Sequence, residues 1–253
     1  MNTLIDAVAV ESRKARSAMV LWSTGALLAL GVATLAAVVV VAGRGGDPAI
    51  LAKLGPQAAT GDWAALLATA AQVTAAGGLL AFGVGLSWLI GREFADGTVS
   101  GLFGLPVSRS DIAAAKLIVF LAWAFAVSAA LTVLLLIAGV ALGLGAPDSA
   151  AMAGLVRQLA LGALTALIAV PAGWAASLGR GLLPGIAVTV GVLVLAQVSV
   201  LADFASWIPF VAPAFWSIHP DVDSALALSV VPLVPLIFGA ATIFVWRRLQ
   251  LDR

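Results

Sequence analysis

The chain has 253 residues, of which 62% are hydrophobic and 10% are charged, and its formal net charge is +1. A soluble domain carries about 25% charged residues, so this chain has too few charges to cover a surface in contact with water. The small net charge gives no reason to expect nucleic acid as a partner, and the absence of cysteine excludes disulfides and thiolate metal sites. We therefore expect an integral membrane protein.

Six long uncharged runs follow one another along the chain, and each is long enough to cross the hydrocarbon core of a bilayer as a helix. We predict an all-α fold in which residues 1–253 form a single transmembrane domain. Pro171, Pro232 and Pro235 should kink the fourth and sixth spans. The predicted spans cover about residues 18–43, 64–91, 117–145, 158–179, 182–202 and 224–246.

A short interfacial helix is predicted before the first span. Leu4, Ile5 and Val8 share one face of such a helix, and a cluster of basic residues follows them. The alternative is a frayed tail whose basic residues only fix the topology.

The distribution of basic residues predicts that both termini are cytoplasmic. With the N-terminus inside, ten of the 13 Lys and Arg residues lie on the cytoplasmic side, and only Arg44, Lys53 and Arg157 lie outside. Cytoplasmic segments of membrane proteins carry this excess of positive charge. A bacterial-type plasma membrane is the expected location.

The outer segment before the last span, residues 203–223, is unusually apolar for a loop and has no Lys or Arg. We predict that it forms a re-entrant or interfacial element packed against protein. Its aromatic residues and prolines are Phe204, Trp207, Phe210, Phe215, Trp216, Pro209, Pro213 and Pro220.

The cytoplasmic connector between the second and third spans, residues 91–116, has several local signals. Asp96–Gly97 is a turn signal, and Thr98 can cap a short helix after it. Pro106 ends that helix, because the residue before a proline is displaced from helical geometry. Ser108, with Asp111 three residues later, fits a capping box that opens the next helix.

The short helix predicted over Val99–Leu105 should expose an apolar face that consists of Val99, Leu102, Phe103 and Leu105. Exposed apolar residues on a connector indicate a protein partner or burial at the membrane interface.

Glu93, at the end of the second span, opposes the negative pole of its helix. Arg92, Arg109 or Lys116 could compensate its charge, which would stiffen the link between the span and the connector. The alternative is a carboxylate in water at the membrane interface.

The connector resembles the signature of ABC-2-type transporter permeases. The residues that carry the resemblance are Arg92-Glu93-Phe94, Gly97-Thr98, Leu105-Pro106-Val107-Ser108-Arg109 and Lys116. In sequence the resemblance covers residues 91–116, and the layout of spans extends it to nearly the whole chain. In that family this segment forms the coupling helix that docks on the ATPase subunit. The resemblance therefore implies a coupling role for Glu93, Phe94, Gly97, Thr98, Leu102, Phe103, Pro106 and Arg109.

The function implied by this resemblance is that of a transmembrane permease subunit of an ATP-driven exporter. The sequence contains no GxxxxGK[ST] phosphate loop, so we expect ATP and Mg²⁺ to be bound by a separate ATPase and no cofactor in this chain. The expected partners are two ATPase copies, a second permease subunit, identical or homologous, and the lipid bilayer. The chain itself is then not an enzyme.

The spans contain almost no ionisable groups, which argues against an ion-coupled carrier and favours a lipophilic substrate such as a drug, a peptide antibiotic or a lipid. Gln72 and Gln197 are polar residues within spans that could line the path or form interhelical hydrogen bonds. The alternatives are a membrane scaffold or assembly factor, and a membrane-embedded enzyme, for which no catalytic constellation is evident.

Overall fold

The computed structural model describes residues 3–46, 60–102, 104, 107–199 and 204–250. Every regular element in these ranges is a helix, and six helices are long and apolar enough to cross a membrane. The predicted all-α fold with six spans is therefore confirmed. We number the spans 1 to 6; their bounds are Met19–Arg44, Trp63–Ala95, Arg109–Ala141, Ser149–Leu178, Leu182–Ser199 and Val222–Arg248.

The spans form a bundle with two ends. The basal face carries the N-terminal helix, the connector between spans 2 and 3, the turn between spans 4 and 5, and the end of span 6. The distal face carries the first turns of spans 2 and 4 and the segment before span 6.

The N-terminal helix, Thr3–Ser17, lies where the sequence predicts a helix. It ends at Ala18, whose backbone is extended (φ −82°, ψ 103°), and span 1 begins at Met19. The helix packs mainly against span 3. Its location at a membrane interface stays a prediction.

Span 2 contains a π-helical turn. Two α-helices, Trp63–Val73 and Leu79–Ala95, flank the π turn Thr74–Gly78. The first helix begins where the Asp62 side chain accepts a hydrogen bond from the Ala65 amide at 3.0 Å. The span continues past residue 91 to Ala95, so Glu93 and Phe94 belong to a regular helix.

The connector contains a helix of only one turn, Val99–Leu102. Span 3 then begins at Arg109 rather than near residue 117, because Ser108 caps it: Ser108 Oγ accepts from the Asp111 amide at 3.0 Å.

Span 4 consists of two helices, Ser149–Ile168 and Pro171–Leu178. The break falls just before Pro171, which lacks the amide hydrogen that would continue the helix. The first helix begins at Ser149 rather than at residue 158, because the Asp148 side chain accepts from the Ala151 amide at 2.8 Å.

A tight turn joins spans 4 and 5. Arg180 takes the left-handed conformation (φ 52°), and the Gly181 amide donates to the Ala176 carbonyl at 3.1 Å. Span 2 approaches this turn very closely, since a Cβ on Gly91 would lie 2.6 Å from the backbone of Gly181 and Leu182.

The segment before span 6 is partly helical, with a 3₁₀ turn at Ala205–Trp207 and a helix at Ala212–Ile218. Ala212 is buried against the bundle, whereas Phe204 and Trp207 are at least half exposed. Its insertion into a membrane stays a prediction.

Span 6 begins with Val222–Ala227 and a 3₁₀ turn at Leu228–Val230, and its long helix, Leu233–Arg248, starts directly after Pro232.

Spans 2 and 4 lie at the centre of the bundle, and spans 5 and 6 lie at its periphery. The largest fully buried side chains include Phe82, Phe120 and Trp246. Lys116 is also fully buried, near the basal face. A buried lysine needs acceptors for its ammonium group, and these define the candidate site.

Candidate functional site

Four charged side chains from three helices meet at the basal face, and we call them the basal charge cluster. Glu11 and Lys14 come from the N-terminal helix, Glu93 from the end of span 2, and Lys116 from span 3. Lys116 Nζ lies 2.7 Å from Glu11 Oε2 and 2.9 Å from Glu93 Oε1. Lys14 Nζ lies 2.9 Å from Glu11 Oε1 and 2.9 Å from Glu93 Oε1. Each lysine therefore bridges both glutamates.

The cluster is buried and electrically balanced. Lys116, Glu11 and Glu93 are only 1%, 3% and 4% exposed. The ammonium of Lys116 has three donors, and it finds a third acceptor in the Leu89 carbonyl at 3.1 Å. Because buried charges are tolerated only when paired and hydrogen-bonded, two ammonium and two carboxylate groups form a self-consistent set.

Lys14 lies at the solvent edge of the cluster, with about a third of its side chain exposed (35%). Burial lowers the pKa of Lys14, but hydrogen bonds and charge attraction from Glu11 and Glu93 outweigh that effect and hold it above 10.5. A raised lysine pKa stabilises the fold at neutral pH, and this contribution is lost only as the pH rises through the folded-state value. Lys14 is therefore positively charged under physiological conditions.

The connector is attached to the cluster through Thr98. Its hydroxyl donates to Glu93 Oε2 at 2.5 Å, so the hydroxyl binds the preceding span rather than capping the helix that follows. Between the two residues the chain reverses at Gly97, whose positive φ of 68° favours glycine. Arg92 pairs with Asp96 at 3.3 Å across the same turn, in an exposed position.

A second set of contacts joins spans 2, 4 and 6 at the same face. The ring of Phe94 meets the edge of Trp246, with centroids 5.8 Å apart. Trp246 is fully buried, and its indole N–H donates to Ser177 Oγ at 2.9 Å. Arg109 donates to the carbonyl of Leu249, just after span 6. The start of span 3 is thereby tied to the end of the chain that the structure describes.

The N-terminal helix makes one further polar contact with span 3. Thr3 Oγ1 donates to Asp111 Oδ2 at 2.6 Å. The helix is thus held to span 3 near its first residue, by Thr3, and near its last turn, by Glu11 and Lys14.

The structure selects among the partners that the sequence allowed for Glu93. Lys116 compensates its charge, whereas Arg92 pairs with Asp96 and Arg109 contacts the Leu249 carbonyl. Glu93 is buried, so the alternative of a carboxylate in water is wrong.

The expected exposed apolar face of the short helix is wrong for two of its four residues. Val99 and Leu102 are only 6% and 9% exposed, because that turn of helix packs its apolar side chains inward. Phe103, Leu105 and Pro106 lie outside the described residues. The described residues of the connector that are exposed are Ala95, Asp96, Gly97, Thr98, Ser100, Gly101, Gly104 and Ser108.

Gln72 and Gln197 are both exposed on the outside of the bundle. Among the described glutamines, Gln158 forms an interhelical hydrogen bond: its Nε2 donates to Thr74 Oγ1 at 2.8 Å.

Sequence reasoning missed Glu11, Lys14, Ser177 and Trp246 as parts of the basal site. Glu11 carried one usable signal, since it is the acid nearest to a basic cluster on a helix predicted to be amphipathic. Nothing local indicates its pairing with Lys116, which is 105 positions away.

Comparison with protein families matches the description "ABC-2 family transporter protein" over residues 7–197. The chain belongs to this family. The matched range includes all four residues of the basal charge cluster and the whole connector. Among curated proteins, none matches the sequence.

As an ABC-2 family member, the chain is a multi-pass membrane permease, and its family implies partnership with an ABC ATPase subunit. Members of the family are generally non-catalytic transmembrane subunits. The chemistry of the basal cluster agrees with such a role, because both carboxylates are engaged by ammonium groups and the arrangement serves to join helices.

Proposed function

We propose that this ABC-2 permease is the transmembrane subunit of an exporter in which two permease copies assemble with two separate ATPase subunits. ATP and Mg²⁺ bind to the ATPase. The basal face is cytoplasmic in this proposal, because the excess of Lys and Arg lies on that side. The membrane is a bacterial-type plasma membrane, and both termini are cytoplasmic.

The observation that carries the coupling proposal is the attachment of an exposed turn to a buried charge cluster. Ala95–Thr98 are all exposed, and the Thr98 hydroxyl donates a hydrogen bond directly to Glu93. Glu93 in turn contacts charges from the N-terminal helix and from span 3. Movement of the turn is therefore transmitted to three helices at once.

The docking surface lies elsewhere in residues 91–116 than the apolar face that the sequence predicts. Because Val99 and Leu102 are buried inside the chain, the ATPase contacts the polar turn around Asp96 and Gly97 and the exposed edge of the short helix at Ser100 and Gly101. Val99 and Leu102 then anchor that edge to the bundle.

The translocation path lies between two permease copies, and its substrate is lipophilic. An apolar groove of about 560 Å³ runs along spans 1 and 3 beside the N-terminal helix. Its lining includes Gly25, Ala29, Trp123 and Val127, and of its eighteen lining residues only Arg16 is charged. Further along span 1, Val38 lines an adjoining apolar groove that shares Leu30 and Leu134 with the first.

The docking proposal is tested with two matched substitutions. Both substituted alanines are exposed: Ala95 ends span 2 on the basal face, and Ala146 lies in the loop between spans 3 and 4 on the distal face. We expect Ala95→Arg to lower the amount of ATPase that co-purifies in mild detergent by tenfold or more, which corresponds to about 1.4 kcal/mol of binding energy. Ala146→Arg should leave co-purification unchanged. Equal recovery of ATPase with both variants would remove the Ala95–Thr98 turn from the interface.

A further inference from the structure

A cavity of about 540 Å³ lies at the distal face, and the basal mechanism makes no use of it. Its walls are the first three turns of spans 2 and 4 and the end of the helix Ala212–Ile218. Both charged and apolar residues line it.

The floor of the cavity includes a buried amide with an unused acceptor. Gln158 is only 2% exposed, and its Nε2 donates to Thr74 Oγ1 at 2.8 Å. Its Oε1 accepts no hydrogen bond within the described part of the chain. Leaving a buried acceptor unpaired is costly, so groups of this kind are rare, and a ligand or a bound water can supply the missing donor.

Three charged residues line the same cavity as Gln158. Asp62 and Asp148 are exposed at the rim, where each caps the first turn of a span, and Arg157 is half buried beside Gln158. No ion pair joins Arg157 to a carboxylate among the described residues. The cavity therefore presents two negative charges, one positive charge and a buried acceptor.

The apolar wall is continuous with these polar groups. Leu67, Ala68, Ala71 and Ile218 line the cavity together with Arg157 and Gln158. Such a combination suits an amphiphile, with a polar group between the charged residues and a hydrocarbon portion along the apolar wall.

We propose that this cavity binds an amino-phosphate headgroup, of the type carried by phosphatidylethanolamine, from the distal leaflet. The phosphate pairs with Arg157, and the ammonium group donates a hydrogen bond to Gln158 Oε1. Asp62 and Asp148 lie at the rim, about three helical turns away along the spans, and their negative charge favours the approach of the ammonium group. A zwitterion of this kind matches both signs of charge in the cavity. The N–H donors are essential, because Gln158 Oε1 can only accept.

Phosphatidylcholine is the matched control ligand, since it carries the same phosphate and a positive charge of the same sign but no N–H donor. Native mass spectrometry of the full chain in detergent, with either lipid added at equal chain length, measures the preference. We expect phosphatidylethanolamine to bind about tenfold more tightly, the effect of one charge-assisted hydrogen bond of modest strength. Equal binding of the two lipids would overturn the proposal.

Three variants distinguish the contribution of the Gln158 Oε1 acceptor to the lipid preference from the contribution of the surrounding packing. Gln158→Met should abolish the preference for phosphatidylethanolamine, whereas Gln158→Glu, which keeps an acceptor oxygen, should retain it. Thr74→Val removes the partner of Nε2 but leaves Oε1, so the preference should persist. Loss of the preference in Thr74→Val and Gln158→Met alike would show that packing, rather than the acceptor, causes it.

Two further arms test the phosphate contact and the source of the headgroup. Arg157→Gln should weaken the binding of both lipids by a similar factor. An effect on the binding of phosphatidylethanolamine alone would contradict the assigned role of Arg157.

Soluble glycerophosphoethanolamine should displace the lipid only at far higher concentration, because it has no hydrocarbon portion to contact the apolar wall. Displacement at equal concentration would assign the site to a small soluble ligand instead. None of these measurements involves the ATPase, so they are independent of the exporter proposal.

Discussion

The two faces of this bundle use similar charged residues in opposite ways. At the basal face, Lys14 and Lys116 bridge Glu11 and Glu93, and every charge has a partner of opposite sign within 2.9 Å. At the distal face, Arg157 lines a cavity with Asp62 and Asp148 but forms no ion pair among the described residues. Charges that satisfy one another join helices, whereas charges that do not are available to a ligand. Whether the charges of a site pair with one another thus distinguishes a site that joins helices from a site that binds a ligand.

The largest effect is expected from Lys116→Met, which breaks the pairing at the centre of the basal cluster. Two buried carboxylates would then share only the partly exposed Lys14. Removing one partner of a buried ion pair typically costs about 3–5 kcal/mol. We expect a loss of this size in the free energy of unfolding, measured by denaturant titration in detergent. Lys14→Met is the matched control and should cost less, because water can reach its site. A larger loss for Lys14→Met would reverse the assignment of the central residue.

A smaller effect on stability, and a distinct effect on activity, is expected from Glu93→Gln. Lys116 keeps Glu11 as a counter-ion, so the permease should still fold and assemble with the ATPase. Thr98 and Lys14 lose their charged acceptor, and we expect substrate-stimulated ATP hydrolysis in reconstituted vesicles to fall by about tenfold.

Asp6→Asn provides the control for Glu93→Gln, because it neutralises an exposed carboxylate of the N-terminal helix that belongs neither to the cluster nor to the docking turn. Surface substitutions of this kind change stability by about 0.5 kcal/mol at most, so stimulation should be nearly normal. If the two variants lower hydrolysis equally, the buried cluster has no special part in coupling.

Close packing at the basal face is tested by Gly91→Ala. The added Cβ would lie 2.6 Å from the backbone at the start of span 5, which can only move as a unit. Overpacking of this kind costs about 1–3 kcal/mol. Gly31→Ala is the control, since a Cβ there has no neighbouring atom within 4 Å. A thermal midpoint that is equally high in both variants would mean that the turn at Gly179–Gly181 yields without cost.

The smallest effect is expected at the distal rim, where Asp62→Ala removes a helix cap worth about 1 kcal/mol. The hydrogen bond from Thr60 lowers the pKa of Asp62 below its ordinary value of 3.8. Burial acts in the opposite direction, and hydrogen bonds from backbone amides lower the pKa further. A carboxylate with a lowered pKa stabilises the fold above its unfolded-state value, and that contribution is lost as the pH falls through the folded-state value.

The difference in thermal stability between Asp62→Ala and the unmodified chain should therefore be present at neutral pH and shrink below pH 3.8. A difference that stays constant with pH would show that capping does not depend on the charge of Asp62.

The spans could be predicted from the sequence because uncharged runs are required by lipid, but several of their ends could not. Span 4 was predicted to start at residue 158 because Arg157 interrupts the run, yet the helix begins at Ser149 and directs Arg157 into a cavity. Span 3 was predicted to start at residue 117 because Lys116 is charged. Lys116 lies well inside that helix, where two glutamates neutralise it. A charge ends a span only if nothing in the fold compensates it.

The pairings in the candidate site could be predicted only where the paired residues are close in sequence or where few candidate partners exist. Lys116 was one of three cations near Glu93, so the pairing could be anticipated without being decided. Lys14 is 79 positions from Glu93 and depends on how the N-terminal helix packs. The burial of Val99 and Leu102 was also beyond prediction, because a helix of four residues has no periodicity from which to read its inner face.

The π turn Thr74–Gly78 sets the angular phase between the two halves of span 2. Each residue of an α-helix turns the chain by about 100°, so one residue more or less rotates everything beyond it by that angle. Before the π turn is complete, Thr74 faces Gln158 at the distal cavity; after it, Glu93 faces Lys116. If the same residues formed a regular α-helix instead of the π turn, the span would still be long enough to cross a bilayer, but Glu93 would be turned away from its partners by about 100°. The orientation of Glu93 at the basal face relative to Thr74 at the distal face is therefore determined by the π turn in the middle of span 2.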